Sequence, residues 1–272
     1  MGKKILTLSL ALAMVLSLAA CVQLPPVQGI VDGVIGALDD IRTCEFEMDM
    51  TMDMAAEYEG ETVEMTTVAD STGLLDLENR QMMMDTTMSM TMPGLEMEMI
   101  MEVYLMGDMM YMFMEAPGME PMWAKSEMPE GTWEEMNQVE PQIELLEAAQ
   151  VEVIGSARVR GIDCYVLEVT PDMEQVWEVV MQQAELTGEA LPFTEEMFRS
   201  FTVKQWVAKD TYFLAKAEID MSVELTAEAM GFPEEEGVMT MDIAMDFLAY
   251  NYNQPVSIEL PPEAEGAIEM SL

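Results

Sequence analysis

The chain is 272 residues long and sets 52 acidic residues against 11 lysines and arginines, a formal charge of −41, with no histidine anywhere. So negative a surface repels nucleic acid and anionic head groups and excludes binding driven by phosphate contacts. The missing histidine removes the commonest general base and the commonest zinc or copper(II) ligand together, while 34 methionines give the apolar half of the chain an unusual composition.

The chain opens with two lysines within Met1 to Lys4, an almost wholly apolar run from Ile5 to Leu18, and the small residues Ala19 and Ala20. These are the three parts of a secretory signal, too short and too early to serve as a spanning helix of the mature protein. Leu18-Ala19-Ala20-Cys21 resembles the lipobox of bacterial lipoproteins, in which the signal is cut before the cysteine and the cysteine is acylated. Residues 1–20 are therefore expected to be a signal peptide, Cys21 the lipid attachment site, residues 21–28 an anchor and tether containing Pro25 and Pro26, and residues 29–272 the folded domain. That places the protein on the extracytoplasmic face of a bacterial membrane. An exported chain can hold a disulfide, so Cys44 and Cys164 are expected either as a bridge or as two buried thiols.

Ile30, Val31, Val34, Ile35, Leu38 and Ile41 fall on one stripe at helical spacing and predict a first amphipathic helix, weakened by Gly33 and Gly36. From Cys44 the period changes to two. Cys44, Phe46, Met48, Met50, Met52 and Met54 alternate with acidic residues and threonine, as in a strand buried on one face. Val63 to Ala69 continues the pattern, and Asp70 to Gly73 reads as a turn before Leu75 and Leu77. Met82, Met84, Met88, Met90 and Met92, then Pro93-Gly94, then Leu95, Met97, Met99, Met101, Val103 and Leu105 form a hairpin in sequence. Gly107-Asp108 leads into Tyr111 to Met114, and a short strand near Met122 to Lys125 closes the meander.

Helical signals return with the capping-box pair Thr132 and Glu135 and with Ile143, Leu145 and Leu146. Strands Val151 to Arg158 and Ile162 to Val169 follow, joined at Arg160-Gly161; Cys164 to Leu167 is apolar on both faces and predicts an interior strand. Thr170-Pro171 opens the clearest helix, with Met173, Val176, Trp177, Val180, Met181 and Ala184 spaced for one face until Gly188. A shorter helix is expected from Thr194. Val203 to Val207, Phe213 to Leu225 and Met239 to Phe247 complete the strands. The whole predicts a mainly β, α+β domain: one large curved antiparallel sheet of about eleven strands, with three or four helices packed on its concave face.

Three readings of the methionine stripes stand side by side: ordinary core filling, an adaptable apolar pocket, and thioether ligands for copper(I). The pocket reading assigns Met48, Met50, Met52, Met84, Met88, Met90, Met97, Met99, Met101, Met239 and Met241 to the wall, and Trp177, Val180 and Met181 to a covering helix. Catalysis has little support. Neither cysteine has a histidine to activate it, no G-x-S-x-G or phosphate-cradling loop is present, and no acidic stretch matches a calcium loop. No catalytic residue, metal ligand set or cofactor is assigned.

The order of elements, with the stretches Gly161-Ile162-Asp163-Cys164-Tyr165-Val166-Leu167-Glu168-Val169, Gln205-Trp206-Val207-Ala208-Lys209-Asp210 and Asn253-Gln254-Pro255-Val256 before Pro261-Pro262, resembles the LolA/LppX-like bacterial lipoproteins. The resemblance implies a half-barrel sheet capped by helices, which in several members encloses lipids or lipoproteins and in others serves as a sensor domain. The expectation is thus a membrane-anchored lipoprotein, not an enzyme, whose partner is a lipid or acyl chain held in a methionine-lined cavity. The alternative is a sensor or protein-interaction module with a filled core.

Overall fold

The computed structural model of the protein describes residues 26–58, 61–129, 132–133, 149–171, 173, 197–226 and 237–270. Val27–Leu38 forms α1. Six strands follow as an up-and-down meander: β1 (Thr43–Tyr58), β2 (Glu61–Asp76), β3 (Gln81–Met92), β4 (Leu95–Met106), β5 (Met109–Glu115) and β6 (Met122–Glu127). A second meander runs through β7 (Gln150–Val159), β8 (Ile162–Thr170), β9 (Phe198–Ala208), β10 (Leu214–Thr226) and β11 (Gly237–Tyr250). A 3-10 turn at Pro262–Gly266 precedes the two-residue β12 (Ile268–Glu269).

All twelve strands belong to one open curved sheet in the order β12-β6-β5-β4-β3-β2-β1-β11-β10-β9-β8-β7. β11 returns to pair with β1 over fourteen residues, Glu45 to Tyr58, and this joins the two meanders into one surface. Each neighbouring pair is antiparallel except β12, which adds to β6 in parallel. The period-two patterning decides this architecture. Most strands have one apolar and one more polar face, and a continuous sheet lets the apolar faces lie together. The short connections carry the residues that their backbone demands, with positive φ at Gly94, Gly107, Arg160 and Gly161.

Two sequence expectations are corrected. Asp70 to Gly73 is not a turn but the middle of β2, hydrogen-bonded on both sides. Its turn-forming residues are there for packing: Gly73 lies opposite Phe46, and a Cβ on it would sit 2.1 Å from the ring. The sheet also has twelve strands, because the C-terminal residues return to cover the β6 edge, with Met270 N–H donating to the Lys125 carbonyl. Among the described residues α1 is the one α-helix. Of the further helices expected over 132–146, 171–187 and from 194, all but residues 132–133, 171, 173 and 197 onward lies outside the described residues, and the last of them gives way to β9 at Phe198 because the chain there joins the sheet beside β10.

The packed core sits where α1 meets the β7–β9 end. Ile30 is fully buried against Leu167, Val169, Val203 and Val207, with Val34, Val151, Val153 and Ile219 around them. Burying a side chain of this kind stabilises by roughly 1.5–3 kcal/mol. Gly33, which breaks the helical pattern, has a packing reason: a Cβ there would lie 2.6 Å from the ring of Tyr212, so the β9–β10 loop seats on the helix only because the side chain is missing. Asn253 fastens the other end of α1. Its N–H donates to the Thr43 carbonyl, its Nδ2 to the Asp40 carbonyl, and its Oδ1 accepts from the Arg42 N–H.

Candidate functional site: the methionine face

Cross-strand register places the methionines side by side. Met50 is opposite Met245, Met54 lies between Met65 and Met241, Met88 is opposite Met99, Met90 opposite Met97, and Met114 lies between Met101 and Met122. Alternation carries Met48, Met52, Met84 and Met239 onto the same face. All eleven strand methionines expected in the wall therefore share one surface. They are half-buried, except Met97, which is 36% exposed. The expected cover residues Trp177, Val180 and Met181, and the anchor Cys21, lie outside the described residues.

The face divides by composition. Its β7–β10 part, under α1, is built of Leu167, Val169, Val203, Val207 and Ile219, and no methionine belongs to this packed cluster. Apart from Met221 on β10, the strand methionines of this face lie in the remaining width, from β11 and β1 across to β6. Four hydroxyl residues are inlaid there, Thr67, Ser71, Thr86 and Ser126, each 6% exposed or less. Ser71 and Thr86 hydrogen-bond each other at 2.9 Å, whereas Thr67 Oγ1 and Ser126 Oγ are buried without a partner. Alternation carries Thr67 onto the stripe with Met65 and Ala69, whereas it did not single out Ser71, Thr86 or Ser126, since serine and threonine inside a strand look like breaks in the stripe.

The opposite face is acidic. Asp246, Asp49 and Asp70 stand directly across from one another on β11, β1 and β2, as do Asp85 and Glu102 on β3 and β4. Asp49, Asp70, Asp85 and Glu102, with Glu47 and Thr72, line a cleft of about 450 Å³. Burial, reinforced by the neighbouring carboxylates, raises the pKa of Asp49; burial raises that of Asp85; and burial together with Asp85 raises that of Glu102. Among the described residues no group of three or more acidic, cysteine or histidine side chains is arranged to hold a metal ion.

One cation bridges the two meanders on this face. Arg160, at the β7–β8 turn, hydrogen-bonds Glu47 Oε2 at 2.6 Å and lies 3.9 Å over the ring of Tyr250, whose hydroxyl donates to Glu47 Oε1. These bonds hold the Glu47 carboxyl below its usual pKa. At the β5–β6 side of the same face, Trp123 packs against Phe113 and Tyr104, and burial pushes the Tyr104 hydroxyl up to about 12.

Of the two expectations for Cys44 and Cys164, the structure has buried free thiols rather than a bridge. Cys44 is on β1 and Cys164 on β8, four strand steps apart in the sheet. Strand spacing of about 4.8 Å puts them beyond the roughly 7 Å between Cα atoms that a bridge spans. Burial raises the Cys44 thiol to about 11 and also raises that of Cys164, which leaves both protonated and unreactive.

Comparison with solved structures finds LprF from Mycobacterium bovis at 12% identity, covering 86% of this chain and 96% of that one, with a TM-score of 0.45. The lipoprotein LppX from Mycobacterium tuberculosis matches at 10% identity over 86% of this chain and all of that one, TM-score 0.39. A chain of the MucA/MucB complex from Pseudomonas aeruginosa matches at 12% identity over 86% of this chain and 61% of that one, TM-score 0.32. No curated protein matches. No helix of the described residues is long and apolar enough to cross a membrane. A family model described as a family of unknown function, DUF6612, matches residues 28–268, and the chain belongs to that family.

Proposed function

We propose that the protein is a lipoprotein attached to the membrane through acylated Cys21, and that residues 29–272 form one half-barrel domain that binds an apolar ligand, a lipid or acyl chain, against the methionine face. The observation that carries this reading is the segregation of side chains on one surface. The aliphatic cluster under α1 contains no methionine, whereas beyond it methionine is the commonest residue of the face, interspersed with Leu75, Val103 and Leu105. Were methionine only a substitute for leucine and valine, it would also enter the packed cluster. A flexible thioether side chain instead suits a wall that must fit an irregular apolar guest.

In this reading the helix expected over 171–187 covers the guest, with Trp177, Val180 and Met181 toward it, and the acidic face stays in water. Net negative charge on that outer face keeps the domain off anionic head groups, so the anchor rather than the sheet sets the distance to the membrane. No catalytic step belongs to this function. The test is native mass spectrometry of the protein taken from its own membrane without exchange into a new lipid. The expected result is a mass above that of the acylated chain, lost on denaturation and identified as an apolar molecule. A chain that carries only its anchor, with the sheet face fully packed, favours a protein-interaction module instead.

A further inference from the structure

The register sets methionine side chains in line across neighbouring strands as well as providing apolar area. Met241 on β11, Met54 on β1 and Met65 on β2 are directly opposite one another in register, and all three are half-buried on the same face. Directly opposed residues have Cβ atoms about 4.5–5.5 Å apart. A thioether sulfur lies two bonds beyond Cβ on a side chain with three rotatable bonds. The outer two sulfurs can therefore lean toward the middle one and converge on a single point above Met54 without any movement of the backbone.

Thr67, the next residue on that face of β2, is 2% exposed and lies opposite Met52 and Met90; its Oγ1 is buried and has no hydrogen-bond partner. This unpartnered buried hydroxyl lies one rung along the face from the methionine row, and an unmade hydrogen bond at a buried oxygen is a cost that a polar or ionic partner would offset.

We propose that the row Met241–Met54–Met65 is a binding site for copper(I), held by three neutral thioethers with Thr67 Oγ1 at its margin. The chemistry selects the ion. Thioethers are soft ligands that suit copper(I), whereas calcium and magnesium require oxygen ligands, and the carboxylates that would supply them face the other side of the sheet. The chain has no histidine to draw copper(II), and its strong negative charge raises the local concentration of any cation. This inference goes beyond apolar-ligand binding and does not depend on it.

The experiment is a titration of the full-length protein with copper(I) in the presence of a competing copper(I) chelator, followed by X-ray absorption at the copper edge. Wild-type protein is expected to bind saturably with a sulfur-dominated shell. Met54→Leu, a volume-conserving swap at the centre of the row, is expected to lose one equivalent of copper. Met114→Leu, in the neighbouring row Met101–Met114–Met122, is expected to leave the Met54 equivalent in place. Circular dichroism of each variant checks that the sheet is intact. Absence of saturable binding, an oxygen-only shell, or the same number of equivalents in folded Met54→Leu as in wild type would overturn the proposal.

Discussion

Replacing Gly73 by alanine tests whether β2 runs unbroken beneath the aromatic ring that the sheet places there. An added Cβ would lie 2.1 Å from Phe46 Cζ and 2.7 Å from the Met83 carbonyl oxygen, against 3.4–4 Å for ordinary contact. The ring can rotate away only by giving up its stack with Phe247, now 6.0 Å between centroids, and the carbonyl belongs to the β3 backbone and cannot rotate. Overpacking of this kind costs about 1–3 kcal/mol. An unhindered strand glycine changed to alanine would gain about 0.5–1 kcal/mol, so the sign of the effect is itself diagnostic. We expect a net loss of about 1–2 kcal/mol in urea unfolding, with unchanged m-value. In a Phe46→Leu background the same change should cost at least about 1 kcal/mol less, because neighbouring sites couple. A Gly73→Ala protein as stable as wild type, or strict additivity with Phe46→Leu, would refute the packing argument.

Further outcomes follow from other residues. Ile30→Ala removes a fully buried side chain from the cluster packed under α1 and should cost about 2–5 kcal/mol in the same assay. Asp49, Asp85 and Glu102 have folded-state pKa values above their unfolded ones, so the folded chain binds protons more tightly and its stability should rise as pH falls from 7 toward the carboxylate range. Asp85→Asn, at a carboxylate with a buried unpartnered oxygen, should raise Tm at pH 7 and flatten that rise. Glu47 has the opposite sign. Its lowered pKa contributes stability above its unfolded value near 4.5 that is lost as pH falls further, and Arg160→Gln should remove this low-pH loss while lowering Tm at neutral pH. Neither Cys44 nor Cys164 should react with an alkylating reagent at pH 8 until denaturant is added, as read by intact mass.

The methionine face was legible in the sequence because period two is a local property. Each run of alternate methionines declares its own inward side, and the strands then align those sides. The family resemblance rested on loose motifs, and LppX stands among the solved structures that the chain is similar to. What was not legible is what pairing across long separations creates. Asp70-Ser71-Thr72-Gly73 reads as a turn by residue type, and only the ring of Phe46 explains why a glycine is needed mid-strand. The acidic cleft assembles from four strands, and Arg160 meets Glu47 across 113 residues of sequence, so neither leaves a mark at short range. The inward position of Thr67 followed from alternation, but its unpartnered hydroxyl did not, because hydrogen-bond partners come from strands distant in sequence.

The central claim is that one face of the sheet receives an apolar guest, and methionine methyl groups report it directly. In a spectrum of protein carrying ¹³C-labelled methionine methyls, titration with an unbranched acyl ester is predicted to shift Met50, Met52, Met88, Met99 and Met101, which share that face, and to leave Met83, Met106 and Met109 on the other face unmoved. Shifts centred on Met83, Met106 and Met109, or no shift at any methionine in protein freed of bound lipid, would contradict the account.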